Sequence, residues 1–149
     1  MMKKEIRRAV PLNSVTTPIE EAPDYRRKAV IKALWKGEKI PVGEIIYEHF
    51  WNEEFQYIII PYWETIDGLE ENAPGAFHGI PGIDMDCRFE KYYRVNRMPS
   101  FIVQRTPPKN RVDMMELMED VGLNYYDPFE WLIRTTSKAS QDNLILEEK

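Results

Sequence analysis

The sequence predicts an α+β fold: a small antiparallel sheet, a meander or a partly open barrel, with three or four short helices packed on it. Three observations lead there. Runs of high β-propensity separated by turn residues fill positions 29–60. Helical periodicity with clear stop signals follows the Pro107-Pro108 break. Strands that come first and helices that come after argue for segregated elements rather than an alternating parallel sheet.

The elements follow in chain order. Residues 1–24 hold Pro11, Pro18 and Pro23 among Asn, Ser and Thr without apolar periodicity. They are expected as a flexible arm ahead of a single domain over residues 25–149. Lys3, Lys4, Arg7 and Arg8 suit an acidic partner, although a terminal charge run is ordinarily a solvated tail. Two strands, Ala29–Trp35 and Val42–Tyr47, flank a turn at Lys36-Gly37-Glu38, and Phe55–Ile60 makes a third. Pro41 cannot donate to a ladder, which places it at a strand entrance or an edge, and Gly43 marks a bulge. Residues 61–75 admit a short acidic helix, Trp63–Glu71, weakened by Gly68 and stopped before Pro74. FHGIPGIDMDC reads as loop, and Phe89–Val95 suits a strand and a helical turn equally.

Pro107-Pro108 ends the apolar segment Phe101–Arg105. Asn110 is expected to cap the next helix, with Asp113 three residues on. Met114, Leu117, Met118 and Val121 form its apolar face, and Gly122 stops it. Asp127-Pro128-Phe129-Glu130 carries three signals at once: an N-cap, a proline at the first helical position and an acid at the third. Tyr126 and Trp131 occupy the two positions of a hydrophobic staple. A polar linker, TTSKASQDN, then leads to a last short strand at Leu144–Leu146.

Composition narrows the function classes. At 149 residues and 17.7 kDa the chain suits one domain with a real core. No apolar run approaches the roughly 18–20 residues that span a membrane, and no apolar stretch follows the basic start as a signal peptide requires. Cys87 stands alone, so no internal disulfide forms, and a cytoplasmic location is expected. A net charge of −5 argues against a general nucleic-acid binder while leaving room for a local basic patch.

The chemistry-bearing residues are sparse. His49, His78 and Cys87 are the soft metal ligands and form no pair at ligand spacing, so neither metal nor cofactor is expected. Asp84 and Asp86 lie close together, but a hard cation wants about six oxygen ligands. Cys87 with His78 as base would make a nucleophile, yet a lone cysteine is more often a small buried hydrophobe. Phosphate-binding, dinucleotide-binding, nucleophile-elbow and zinc-protease motifs are all missing, and a non-catalytic protein is expected. Arg94, Arg97, Arg105, Lys109, Arg111 and Arg134 interleave with Tyr92, Tyr93, Phe101 and Trp131. That combination marks protein interfaces and also single-strand nucleic-acid sites. The competing reading puts the aromatics in the core and the arginines at helix ends.

AVIKALWKGEKIPVGEII followed by FQYIII resembles the opening hairpin and third strand of HipA-type kinases: a strand, a small turn, a "VGEL"-like strand and an "F-x-Y" strand. GIPG, PSFIVQRTPPKNR, the helix, DPFEWLIRTT and QDNLIL follow in the order of that family's N-terminal subdomain, over about Ala29 to Leu146. The kinase portion has no counterpart, and Ser140-Gln141-Asp142-Asn143 lacks the glycines of the family's closing motif. The resemblance implies a free-standing version of the subdomain, an antitoxin-like partner that binds and restrains a separate kinase. A protein-binding module is therefore expected, with a nucleic-acid-associated accessory module as the alternative. The expected contact residues are Trp51, Tyr62 and Trp63 on the sheet side and Arg105, Arg111 and Arg134 near the helices.

Overall fold

The computed structural model describes residues 10–11, 18–136 and 142–149. The three expected strands are present and each is longer than its apolar run: β2 (Tyr25–Trp35), β3 (Glu38–His49) and β4 (Phe55–Pro61). They pair antiparallel as a meander, with Tyr25 opposite His49 and His49 opposite Phe55 at one end of the sheet. Lys36 and Gly37, both at positive φ (48° and 82°), close the first hairpin as a two-residue turn that matches strand twist.

Pro41 stands inside β3 rather than at its entrance. The register passes from Ile31 opposite Gly43 to Lys32 opposite Pro41, so Val42 is the extra residue of a bulge. Pairing with β4 stops at Gly43, which leaves Pro41 no amide obligation on that side. Gly43 itself is required by close approach: a Cβ there would lie 3.0 Å from the Ile60 carbonyl oxygen.

Strand β5 (Tyr92–Val95) resolves the ambiguous stretch as strand and pairs with β4. Strand β6 (Leu144–Glu148) runs antiparallel to β2. The region expected as a free arm contributes β1 (Val10–Pro11), parallel to Tyr92–Tyr93. It is tied again at Ile19, whose N–H and carbonyl both bond the amide of Gln56, at 2.9 and 3.0 Å. The sheet order is β1-β5-β4-β3-β2-β6. The sheet is open and does not close into a barrel. The linker expected at TTSKASQDN falls mostly outside the described residues.

Among the described residues four helices accompany the sheet: α1 (Trp63–Asn72), α2 (Ser100–Val103), α3 (Met114–Glu119) and α4 (Pro128–Thr135). Helix α1 fills the expected span. Helix α3 starts later than its sequence signal, with Asp113 rather than Asn110 at the N-cap position and no side-chain cap bond. Turns closed by Arg111 N on Pro108 O and Met114 N on Arg111 O occupy the intervening residues, and Arg111 Nε takes the Asp113 carboxylate at 2.5 Å. Of its expected apolar face, Met118 is fully buried; Met114, Leu117 and Val121 are half-buried. Gly122 ends it at φ +84°, with Leu123 N bonding Met118 O at 2.9 Å. Helix α4 follows its signal: Asp127 accepts from Glu130 N at 3.1 Å, Pro128 opens the helix, and Phe129, Leu132 and Ile133 are buried.

Residues Ala29, Ile31, Ala33, Ile45, Tyr57, Ile59, Tyr92, Leu144 and Leu146 alternate onto one face of the sheet and join the helices' Trp63, Ile66, Phe101, Ile102, Phe129 and Leu132 in one core. Gly43 and Tyr47 lie on the same face by register, so the aromatic residues at the strand ends continue the core surface outward.

Candidate functional site: an aromatic end of the sheet

The strand ends at Tyr25, His49 and Phe55 build the most distinctive surface. Because Tyr47 and Tyr57 are cross-strand partners and Tyr25 and Phe55 sit diagonally from Tyr47, period-2 alternation puts four aromatic rings on the helix-bearing face. Their centroids form a connected ladder: Tyr25 to Tyr47 at 6.1 Å, Tyr47 to Tyr57 at 5.0 Å, Tyr47 to Phe55 at 6.1 Å. Phe129 of α4 meets Tyr57 edge-on at 5.8 Å and joins the ladder to the helices. The ladder passes from core to solvent. Tyr57 is 5% exposed, Tyr25 is 50% exposed, and Trp51 in the β3–β4 turn is 83% exposed. Tyr125, 57% exposed, lies near enough to influence Tyr25 electrostatically.

Carboxylates edge these rings. Asp24 bonds His49 Nδ1 at 3.0 Å, and Glu53 stands 3.6 Å from His49 Nε2. Glu130 receives a bidentate clamp from Arg27, Nε at 2.8 Å and Nη2 at 3.0 Å, which ties α4 to β2. Burial first, then the nearby carboxylates, push the Tyr25 and Tyr47 phenols above their ordinary value. Burial likewise raises the Asp127 carboxyl, against the hydrogen bond from Glu130 N that lowers it.

The residues expected to touch a partner are scattered. Trp51 is on the surface as expected. Trp63 is in the core at 5% exposure, its indole N–H donating to Phe89 O at 2.9 Å and its ring covered by Arg88 at 4.5 Å. A first helical residue facing the sheet has no other place to put an indole, so Trp63 is a packing residue. Tyr62 is half-buried beside Glu44, and burial together with that carboxylate pushes its phenol up to about 12. Arg105 is interior: its side chain is 0% exposed, bonds the Phe101 carbonyl and Asp142, and lies 3.8 Å over the Phe101 ring. Arg111 is exposed and paired with Asp113. Arg134 reaches the Val121 carbonyl at 2.7 Å and Glu130 at 3.3 Å, which fastens α4 to the end of α3.

A concavity of about 310 Å³ lies between the His78–Met85 loop, Gln104 and Asp142. Asp142 there is already engaged by Arg105 and by Leu144 N at 3.1 Å. Cys87 lies outside that lining, with its carbonyl accepting from the Tyr92 hydroxyl at 2.7 Å. Asp84 Oδ1 caps Asp86 N at 2.9 Å. Among the described residues, no group of three or more His, Cys, Asp or Glu is placed to hold a metal ion, and no helix is long and apolar enough to cross a membrane.

Sequence reasoning passed over Tyr25, Tyr47, Phe55 and Tyr57. The signal was available: Phe55-x-Tyr57 places two aromatics on one strand face, and Tyr47 falls opposite Tyr57 once the turn closed by Phe50 N on Glu54 O fixes the β3–β4 register. Comparison with profiles of protein families, with characterised proteins and with solved structures finds no match for this chain.

Proposed function

We propose that the chain is a non-catalytic protein-binding module and that the aromatic end of the sheet is its contact surface. The observation that carries this is the ring ladder that leaves the core and ends in half-exposed Tyr25, with Trp51 exposed in the adjoining β3–β4 turn. Rigid aromatics backed by a packed core offer large contact area at low entropic cost, the profile of interface hot spots. The resemblance to the HipA N-terminal subdomain makes a HipA-type kinase the first partner to test. Arg105, Arg111 and Arg134, expected as contacts of the protein-binding module and among the arginines the nucleic-acid alternative would use, each hold a carboxylate within the chain.

The test is affinity capture from native cell extract with the wild type and with Trp51→Ala at matched melting temperature. A HipA-type kinase recovered stoichiometrically by the wild type and lost from the variant supports the reading. Equal recovery by both proteins removes the aromatic end from the interface.

A further inference from the structure

The chemistry of the same surface specifies what kind of partner segment it takes, an inference that rests on the protein-binding reading above. Inside the molecule a guanidinium is held twice by one aromatic ring together with one carboxylate. Arg88 lies 4.5 Å over Trp63 and is gripped by Asp67 at 2.7 and 3.1 Å. Arg105 lies 3.8 Å over Phe101 and bonds Asp142. Ring faces attract cations and carboxylates fix them, so the pairing is a recognisable unit.

The aromatic end presents the same unit outward. Phe129 lies 6.4 Å from Tyr47, which brings half-buried Asp127 at the start of α4 towards these rings, and His49, the cross-strand partner of Tyr25, is flanked by Asp24 and Glu53, the latter with its side chain 87% exposed. The chain's own cations here are directed elsewhere: Arg27 closes on Glu130 and Glu148, and Arg134 on Glu130 and the Val121 carbonyl. The ion pairs at this end join Asp24, Glu48, Glu53, Glu130 and Glu148 to Arg26, Arg27, Arg134 and His49, and Asp127, which among the described residues accepts only from a backbone N–H, adds a further carboxylate. We infer that the partner presents an extended cationic segment whose arginine side chains stack on Tyr25, Tyr47 and Trp51 and pair with Asp127 and Glu53.

The experiment is fluorescence anisotropy of the full chain with three labelled decapeptide probes, alternating Arg-Gly, Lys-Gly and Glu-Gly. The Arg-Gly probe binds, the Lys-Gly probe binds more weakly because ammonium stacks less well on rings, and the Glu-Gly probe does not bind. Asp127→Asn keeps an equally good N-cap and removes the charge. It and Tyr25→Ala each weaken the Arg-Gly complex by about fivefold or more, whereas Glu70→Gln with Glu71→Gln on α1 leaves it unchanged. Arg-Gly binding that all variants share equally, or no binding at all, overturns the cationic-segment proposal. If kinase capture still depends on Trp51 in that case, the aromatic end stands as the contact surface without it; if capture is also indifferent to Trp51, the aromatic end is not the contact surface and both assignments fall.

Discussion

The two ends of the helix-bearing sheet face are arranged oppositely. At the end where β2 meets β6, polar groups are drawn inside and paired. Asn143 Nδ2 bridges the Leu34 and Ala76 carbonyls, both at 2.8 Å, and Asp142 accepts from Arg105 and from Leu144 N. At the Tyr25–His49–Phe55 end, aromatics run out into solvent and the carboxylates remain at the rim. The difference teaches where each end contributes. A buried charge is tolerable only with its partner in place, so removing one member of a pair at the closed end destabilises the fold. Exposed rings contribute no burial to the fold, so the open end adds little to stability, and it is there that we propose a partner binds.

Substitutions can break or sharpen that contrast. The largest effect is expected at the closed end. Arg105→Ala leaves Asp142 without its guanidinium and costs about 3–5 kcal/mol, lowering Tm by roughly 10 °C in a thermal melt. A melt within experimental error of the wild type would show that the closed end is not the stability anchor. Trp63→Ala is expected to cost a similar amount, about 3–5 kcal/mol, because it empties a core site and uncovers the buried Arg88–Asp67 pair. Unchanged denaturant midpoints for this variant would return Trp63 to the list of surface contacts.

A smaller effect is expected where the two regions join, at the clamp between Arg27 and Glu130. Burial raises the Glu130 carboxyl, but the hydrogen bonds and charges of Arg27 and Arg134 outweigh it and hold the group below its ordinary 4.5. A carboxyl lowered on folding adds stability that is fully present above its unfolded value and is lost as pH falls through the folded value. Glu130→Gln should therefore cost about 1–2 kcal/mol at neutral pH and flatten the acid limb of a stability–pH profile. Parallel acid limbs in the two proteins would detach the clamp from that loss. Asp127→Ala removes the N-cap acceptor of α4 and should cost about 1 kcal/mol, read as a reduced urea midpoint with unchanged m-value.

The smallest stability effect belongs to the open end. Trp51→Ala should change stability by no more than about 0.5 kcal/mol while abolishing partner capture. A large loss of stability there would erase the contrast between the two ends.

Local chemistry made much of the fold readable. The three meander strands announced themselves by β-branched and aromatic runs, and α4 by Asp127-Pro128 with Glu130 at its third position. These signals act within one turn or one strand and need no distant partner. The start of α3 was misplaced because Asn110 satisfies a cap pattern that turns at Pro108 and Arg111, and the Arg111–Asp113 pair, override.

The site was less legible, since burial and pairing are long-range. Trp51 and Trp63 are the same residue type twelve positions apart; one is in a hairpin tip and one begins a helix against the sheet. Arg105 reads as a surface cation until Asp142, far along the chain, is folded beside it. The sequence by itself determined the α+β class, the meander, the glycine and proline stops and the cap of α4, because each rests on backbone sterics and nearest neighbours. Tertiary structure alone decided the register that stacks Tyr25, Tyr47 and Tyr57, the return of β1 and β6 to opposite edges, and which arginines are interior. Those outcomes depend on contacts between residues far apart in the chain, whose free energies no local pattern records.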